Sequence, residues 1–203
     1  MEEVNVAWPI VIVAGLLLFF PVRFFFPANG LLRTLSHPPD SMEHKPTPLW
    51  WLTWAQGLDF LSGWVAAYLL REHGFRAAPR AVGADALAPA LVTYGLLLAA
   101  VFYRMPVRGR KYVCVAPVGF VLGVMWAVVP PIVALVSTVF LVCSAAAFRS
   151  LTPAFLAGAA AVVATGFLFN APRLELVFFA LVAAMPVVVS VVSYRALALP
   201  SRR

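Results

Sequence analysis

The sequence predicts an all-α fold: seven transmembrane helices in one bundle, with the N-terminus outside and the C-terminus inside. Three observations carry this. Hydrophobic residues make up 63% of the 203-residue chain and charged residues only 11%, against roughly 45–50% and 25% in soluble domains. A water-facing surface cannot be built from so few charges, so the bilayer is the solvent. The apolar residues fall into runs long enough to cross it, and lysine and arginine gather at alternate ends of those runs.

The first run spans about 6–22 and stops at Arg23, with Phe24, Phe25, Phe26 and Pro27 at its boundary. Glu2 and Glu3 stand where a signal peptide carries basic residues, so this run reads as a retained helix. Residues 23–48 form a cytoplasmic loop rich in proline (Pro38, Pro39, Pro46, Pro48). The second run, 49–70, opens on Trp50, Trp51 and Trp54, an aromatic belt at a membrane face. Its length corresponds to about 33 Å of helix. The third run covers 85–103, followed by the most basic loop, Arg104 to Lys111.

From Tyr112 to Phe148 there are 37 uncharged residues, too many for one crossing, and Pro130-Pro131 divides them into helices over 112–129 and 131–148. Arg149 ends the fifth run; the sixth covers 153–169 and the seventh 174–194. The whole chain is one transmembrane domain.

Counting cations fixes the orientation. With the N-terminus outside, the cytoplasmic side holds Arg23, Arg33, Lys45, Arg104, Arg108, Arg110, Lys111, Arg149, Arg195, Arg202 and Arg203. The other side holds Arg71, Arg76, Arg80 and Arg173. The net charge of +7 is therefore a topology signal. It suits anionic lipid head groups at the inner face, and nucleic acid is not expected as a partner. The expected location is a plasma membrane, the bacterial inner membrane.

Seven runs permit a three-plus-one-plus-three arrangement. Short echoes fit it: Pro9-Ile10-Val11 with Pro131-Ile132-Val133, Leu52-Thr53 with Leu151-Thr152, and Tyr103-Arg104 with Tyr194-Arg195. Matches this short also arise by chance among abundant residues. Small residues mark the packing faces: Gly119 and Gly123 in the fourth run, Ala157 and Ala161 in the sixth. In lipid, close backbone approach is a main source of helix association, within the bundle or against another membrane subunit or a second copy.

Asp59 is the charge that needs explaining. Counted from Leu49 it lies about 15 Å into the second run, near the midplane, where an acid costs at least about 2.5–3.5 kcal/mol. Gln56, Thr53 and Ser62 make a polar stripe with it that must face protein or water. No basic residue stands at matching depth in another run, so an ion pair is not expected. The stripe reads as a proton, cation or polar-substrate site, set against a neutral aspartic acid that only fixes packing.

Other features are weaker. His37, Asp40, Glu43 and His44 crowd the first loop, but their spacing matches no metal motif, and a solvated loop is the better reading. Arg173 and Glu175 read as anchors at a helix end, and Cys114 and Cys143 as ordinary buried thiols. No apolar run holds a lysine for retinal or a histidine for haem, and the serines there have no base beside them. No cofactor is expected, and an enzyme is less expected than a non-enzyme.

A small transporter or channel leads. A non-catalytic subunit of a larger membrane complex follows, and an enzyme acting on a lipid head group comes third.

Overall fold

The computed structural model describes residues 5–20, 31–33, 54–76, 84–105, 113–193 and 196–201. Among these, seven α-helices carry the fold: α1 (Trp8–Phe19), α2 (Trp54–Leu69), α3 (Ala84–Tyr103), α4 (Val118–Val128), α5 (Pro131–Phe148), α6 (Leu151–Leu168) and α7 (Arg173–Val192). The remaining regular structure is short. A π-helical turn, Leu70–Gly74, prolongs α2, and five extended pieces lie at the helix ends: β1 (Asn5–Val6), β2 (Leu31–Arg33), β3 (Phe75–Arg76), β4 (Val113–Val115) and β5 (Ala196–Ser201).

Proline sets several boundaries. Pro131 occupies the first turn of α5, where its missing N–H costs nothing, and Pro130 is held extended at the cap (φ −53°, ψ 142°). The pair thus divides the long apolar stretch into two helices. Arg149 (φ 48°) turns the chain between α5 and α6, and Asn170 (φ 53°) does the same after α6.

Three helices, α5, α6 and α7, are long and apolar enough to cross a membrane, while α1, α4 and the Leu87–Tyr103 part of α3 are shorter apolar helices. The fourth expected segment is the most changed. Instead of a helix over 112–129 there are 11 helical residues, because Val113–Val115 is drawn out to pair with β5. α1 is also shorter than expected, at 12 residues. By helical rise α1 and α4 measure only about 17–18 Å, well under a hydrocarbon core of about 30 Å.

The helix ends sort into two groups. At one end β1 pairs antiparallel with β3, and the Ala7 amide donates to the Gly74 carbonyl at 3.1 Å. The start of α1 therefore meets the end of α2. At the other end β5, following α7, lies between β2, with which it is antiparallel, and β4, with which it is parallel. The end with β1 and β3 is the outer end and the end with β5 the inner end in the orientation expected from the cation count.

α2 packs most closely on α4 and next on α1, whereas α6 packs on both α5 and α7. The neighbour pattern of the first three helices thus differs from that of the last three.

The α2–α4 crossing is made by glycine. A Cβ at Gly119 would meet the Gln56 carbonyl, one at Gly123 the Phe60 carbonyl and the Trp64 amide, and one at Gly63 the Phe120 carbonyl. Backbone touches backbone, as lipid-embedded helices require in place of a hydrophobic drive. Phe120, Phe155, Leu18, Leu70, Leu97 and Met125 are the largest of the fully buried side chains. Large apolar side chains cover the outside as well, among them Leu16, Leu61, Leu91, Phe140, Phe167 and Leu181. An apolar surface on every side is what a lipid solvent allows and water does not.

Candidate functional site

The expectation that Asp59 lacks a basic partner is wrong. Arg104, assigned from sequence to the loop, follows directly on the last residue of α3 and folds back into the bundle, where its side chain is only 2% exposed. Its Nη1 donates to Asp59 Oδ1 at 2.5 Å. Nε donates to the Leu18 carbonyl at 2.9 Å, and Nη2 to the Leu17 carbonyl at 2.7 Å and to Ser62 Oγ at 3.2 Å. The Phe120 ring lies under the guanidinium, 4.2 Å from its carbon.

Each element supplies one part for a local reason. Leu17 and Leu18 stand in the last turn of α1, whose carbonyls have no helical partner and carry the negative end of the helix dipole. Ser62, one turn after Asp59, donates its hydroxyl to the Asp59 carbonyl at 2.9 Å and turns its oxygen to Arg104. Gly119 lets α4 approach α2 closely, which brings Phe120 against the guanidinium. A guanidinium keeps its charge even when buried, so Arg104 faces Asp59 as a cation.

Asp59 lies level with the final turns of α1 and α3 and the first turn of α4, through its bond to Arg104 and the contact of α2 with Gly119.

The other expected site residues distribute as follows. Gln56 is buried at 7% exposure, and its Nε2 has no hydrogen-bond partner among the described residues. Thr53 lies outside the described residues, as do His37, Asp40, Glu43 and His44. No cluster of three metal-ligating side chains occurs among the described residues. In α6, Ala161 is buried and Ala157 half-buried, but the close approach to α5 is made by Gly158, where a Cβ would come 3.2 Å from Leu141.

A second arginine clamp stands at the outer end. Arg71, in the π-helical turn, donates through Nη1 to the Ala127 and Val128 carbonyls (3.1 and 2.8 Å), at the close of α4. Its Nη2 binds Glu175 Oε1 at 2.6 Å. Glu175 is therefore not a solvated anchor: it is buried at 8% exposure and ties α7 to α2. The thiol of Cys143, expected to be buried, is instead exposed on the apolar outside of α5.

The two clamps share one design. Each arginine closes the C-terminus of a short helix, α1 or α4, through two main-chain carbonyls and is neutralised by a carboxylate from another helix. Sequence reasoning missed both because it treated these arginines as loop charges. The signal available was the position of each arginine within one or two residues of a long apolar run. Comparison of the chain with protein-family models, with curated proteins and with solved structures gives no match.

Proposed function

We propose that this chain is a small multi-pass membrane transporter or channel in which Asp59, with Gln56 and Ser62 beside it, forms a cation-selective polar site near the inner end. All seven segments cross the bilayer in this reading, α1 and α4 covering only part of its thickness as helix, with the N-terminus out, the C-terminus in and the basic loops against anionic lipid. Asp59 is the observation that carries it. A carboxylate with a buried arginine, a hydroxyl and two helix-end carbonyls is costly to assemble in an apolar bundle, and apolar residues of similar size would hold the helices as well. The unpartnered amide of Gln56, one helical turn from Asp59, adds a buried polar group that helix packing does not use. α1 and α4 ending short of a full membrane thickness, with their carbonyls turned to a cation, also supports it, because interrupted helices are how transporters present main-chain carbonyls to cations.

The test is ion flux in vesicles holding the purified protein, with protons, sodium and potassium as probes. Asp59→Asn abolishes a cation flux present in the wild-type if the reading is right. A folded wild-type that moves none of these and no other cation sinks it.

A second reading, a non-catalytic membrane subunit, is favoured by the completeness of the Arg104 clamp, which leaves Asp59 charge-balanced at rest. It predicts that foreign subunits co-purify from mild detergent in fixed ratio and that Gly123→Leu prevents their assembly.

A further inference from the structure

The partners of Arg104 come from α1 (the Leu17 and Leu18 carbonyls), α2 (Asp59 and Ser62) and α4 (Phe120). Among the described residues, none of these side-chain partners comes from α3, the helix that delivers Arg104. The receptor and its occupant are thus carried by different elements. α1, α2 and α4 are joined by their own packing, with α2 seated on α4 through Gly63, Gly119 and Gly123, so the receptor does not depend on α3 for its walls. Arg104 sits just beyond the last turn of α3, its amide still bonded to the Ala100 carbonyl at 3.0 Å.

The receptor's shape is specific. Its acceptors surround a plane instead of converging on a point: one for Nε, one for Nη1 and two for Nη2, with an aromatic face closing the flat side. An alkali ion needs oxygens gathered around a single centre, and an ammonium fills three directions from one nitrogen. A guanidinium is the group whose donors are spread in a rigid fork and whose face stacks on a ring. Asp59, the dipole ends of the α1 carbonyls and the ring quadrupole all favour positive charge and repel anions.

We propose that this cage is the substrate site of the protein, that its external ligand is a small guanidinium-bearing cation, and that Arg104 is a tethered stand-in displaced by that ligand. The proposal rests on the transport reading and narrows its substrate class. A ligand entering from the inner end replaces Arg104 donor for donor, so the receptor's charge balance is unchanged while the end of α3 is released.

Uptake of radiolabelled guanidinium into vesicles containing the wild-type, Asp59→Asn or Arg104→Lys protein decides it, with sodium and protons measured in parallel. The wild-type accumulates guanidinium above empty vesicles. Asp59→Asn weakens its apparent affinity about tenfold or more, the loss of one charge-assisted hydrogen bond. Arg104→Lys keeps the tethered charge but cannot fill the fork, so guanidinium competes better and its apparent affinity rises. The proposal fails if the wild-type takes up no guanidinium while still moving protons or sodium in an Asp59-dependent way, an outcome that leaves the transport reading standing. It fails equally if Arg104→Lys leaves guanidinium affinity unchanged, a result readable even where Asp59→Asn does not fold. Absence of every flux from folded wild-type protein overturns both.

Discussion

Replacing Arg104 by methionine removes the charge while keeping much of the side-chain volume, and the structure states what is left behind. Asp59 loses its 2.5 Å partner, and the Leu17 and Leu18 carbonyls lose the donors at 2.7 and 2.9 Å. Breaking a buried pair from one side costs about 3–5 kcal/mol. Because Asp59 keeps some access to solvent, with 17% of its side chain exposed, the lower half of that range is expected. For a chain of this size each kcal/mol lowers Tm by about 2–4 °C, so a fall of roughly 6–15 °C follows. The double variant Asp59→Leu/Arg104→Met removes the stranded acid and recovers part of that loss, leaving chiefly the uncapped α1 carbonyls, at about 1–3 kcal/mol. The assay is thermal unfolding of the purified protein in one mild detergent, with both single variants completing the cycle. A single-variant effect below about 1 kcal/mol, the size of an exposed pair, or a double variant no more stable than Arg104→Met, would refute the claim that the buried charge pair holds this end of the bundle.

Four further outcomes are expected. Gly123→Ala drives a methyl into the Phe60 carbonyl and Gly119→Ala one into the Gln56 carbonyl, each costing about 1–3 kcal/mol by overpacking; Gly57→Ala, in open space on the facing helix α2, is neutral or stabilising by up to about 1 kcal/mol, and thermal unfolding separates them. Arg71→Ala leaves Glu175 and the α4 end without their donor, so α4 and α7 exchange amide hydrogen faster at their outer ends while the inner ends are unchanged. Glu175→Gln keeps a neutral acceptor for Arg71 and is milder than Arg71→Ala in the same measurement. With Cys114→Ala as background, a membrane-impermeant maleimide fails to label Cys143 in intact vesicles, whereas an apolar thiol reagent labels it; labelling by the first would place that face of α5 in water.

How much of this was legible in the sequence depends on the kind of interaction. The helix count followed from apolar run length and from Pro130-Pro131, which act locally. Gly119 and Gly123 were legible as small residues one turn apart, though their partner, α2, was not. The shortening of α4 was hidden because Val113–Val115 is as apolar as a helix; only pairing with β5, far along the chain, draws it out. Arg104 was hidden for a similar reason. A cation beside a run looks like an orientation marker until the ends of α1 and α3 are seen side by side.

The Arg104 clamp also bears on the order in which the chain enters the membrane. Leu17 and Leu18 are synthesised early, yet the donor that satisfies the Leu18 carbonyl arrives 86 residues later. Until α3 is delivered, the hairpin of α1 and α2 carries unmet carbonyls and an unneutralised Asp59, an arrangement poorly suited to leave a protein-lined insertion channel for lipid on its own. If all seven segments span the bilayer as proposed, the first three are expected to enter lipid as a group: a nascent chain stopped before Arg104 should remain crosslinked to the insertion machinery while one extended past it is released.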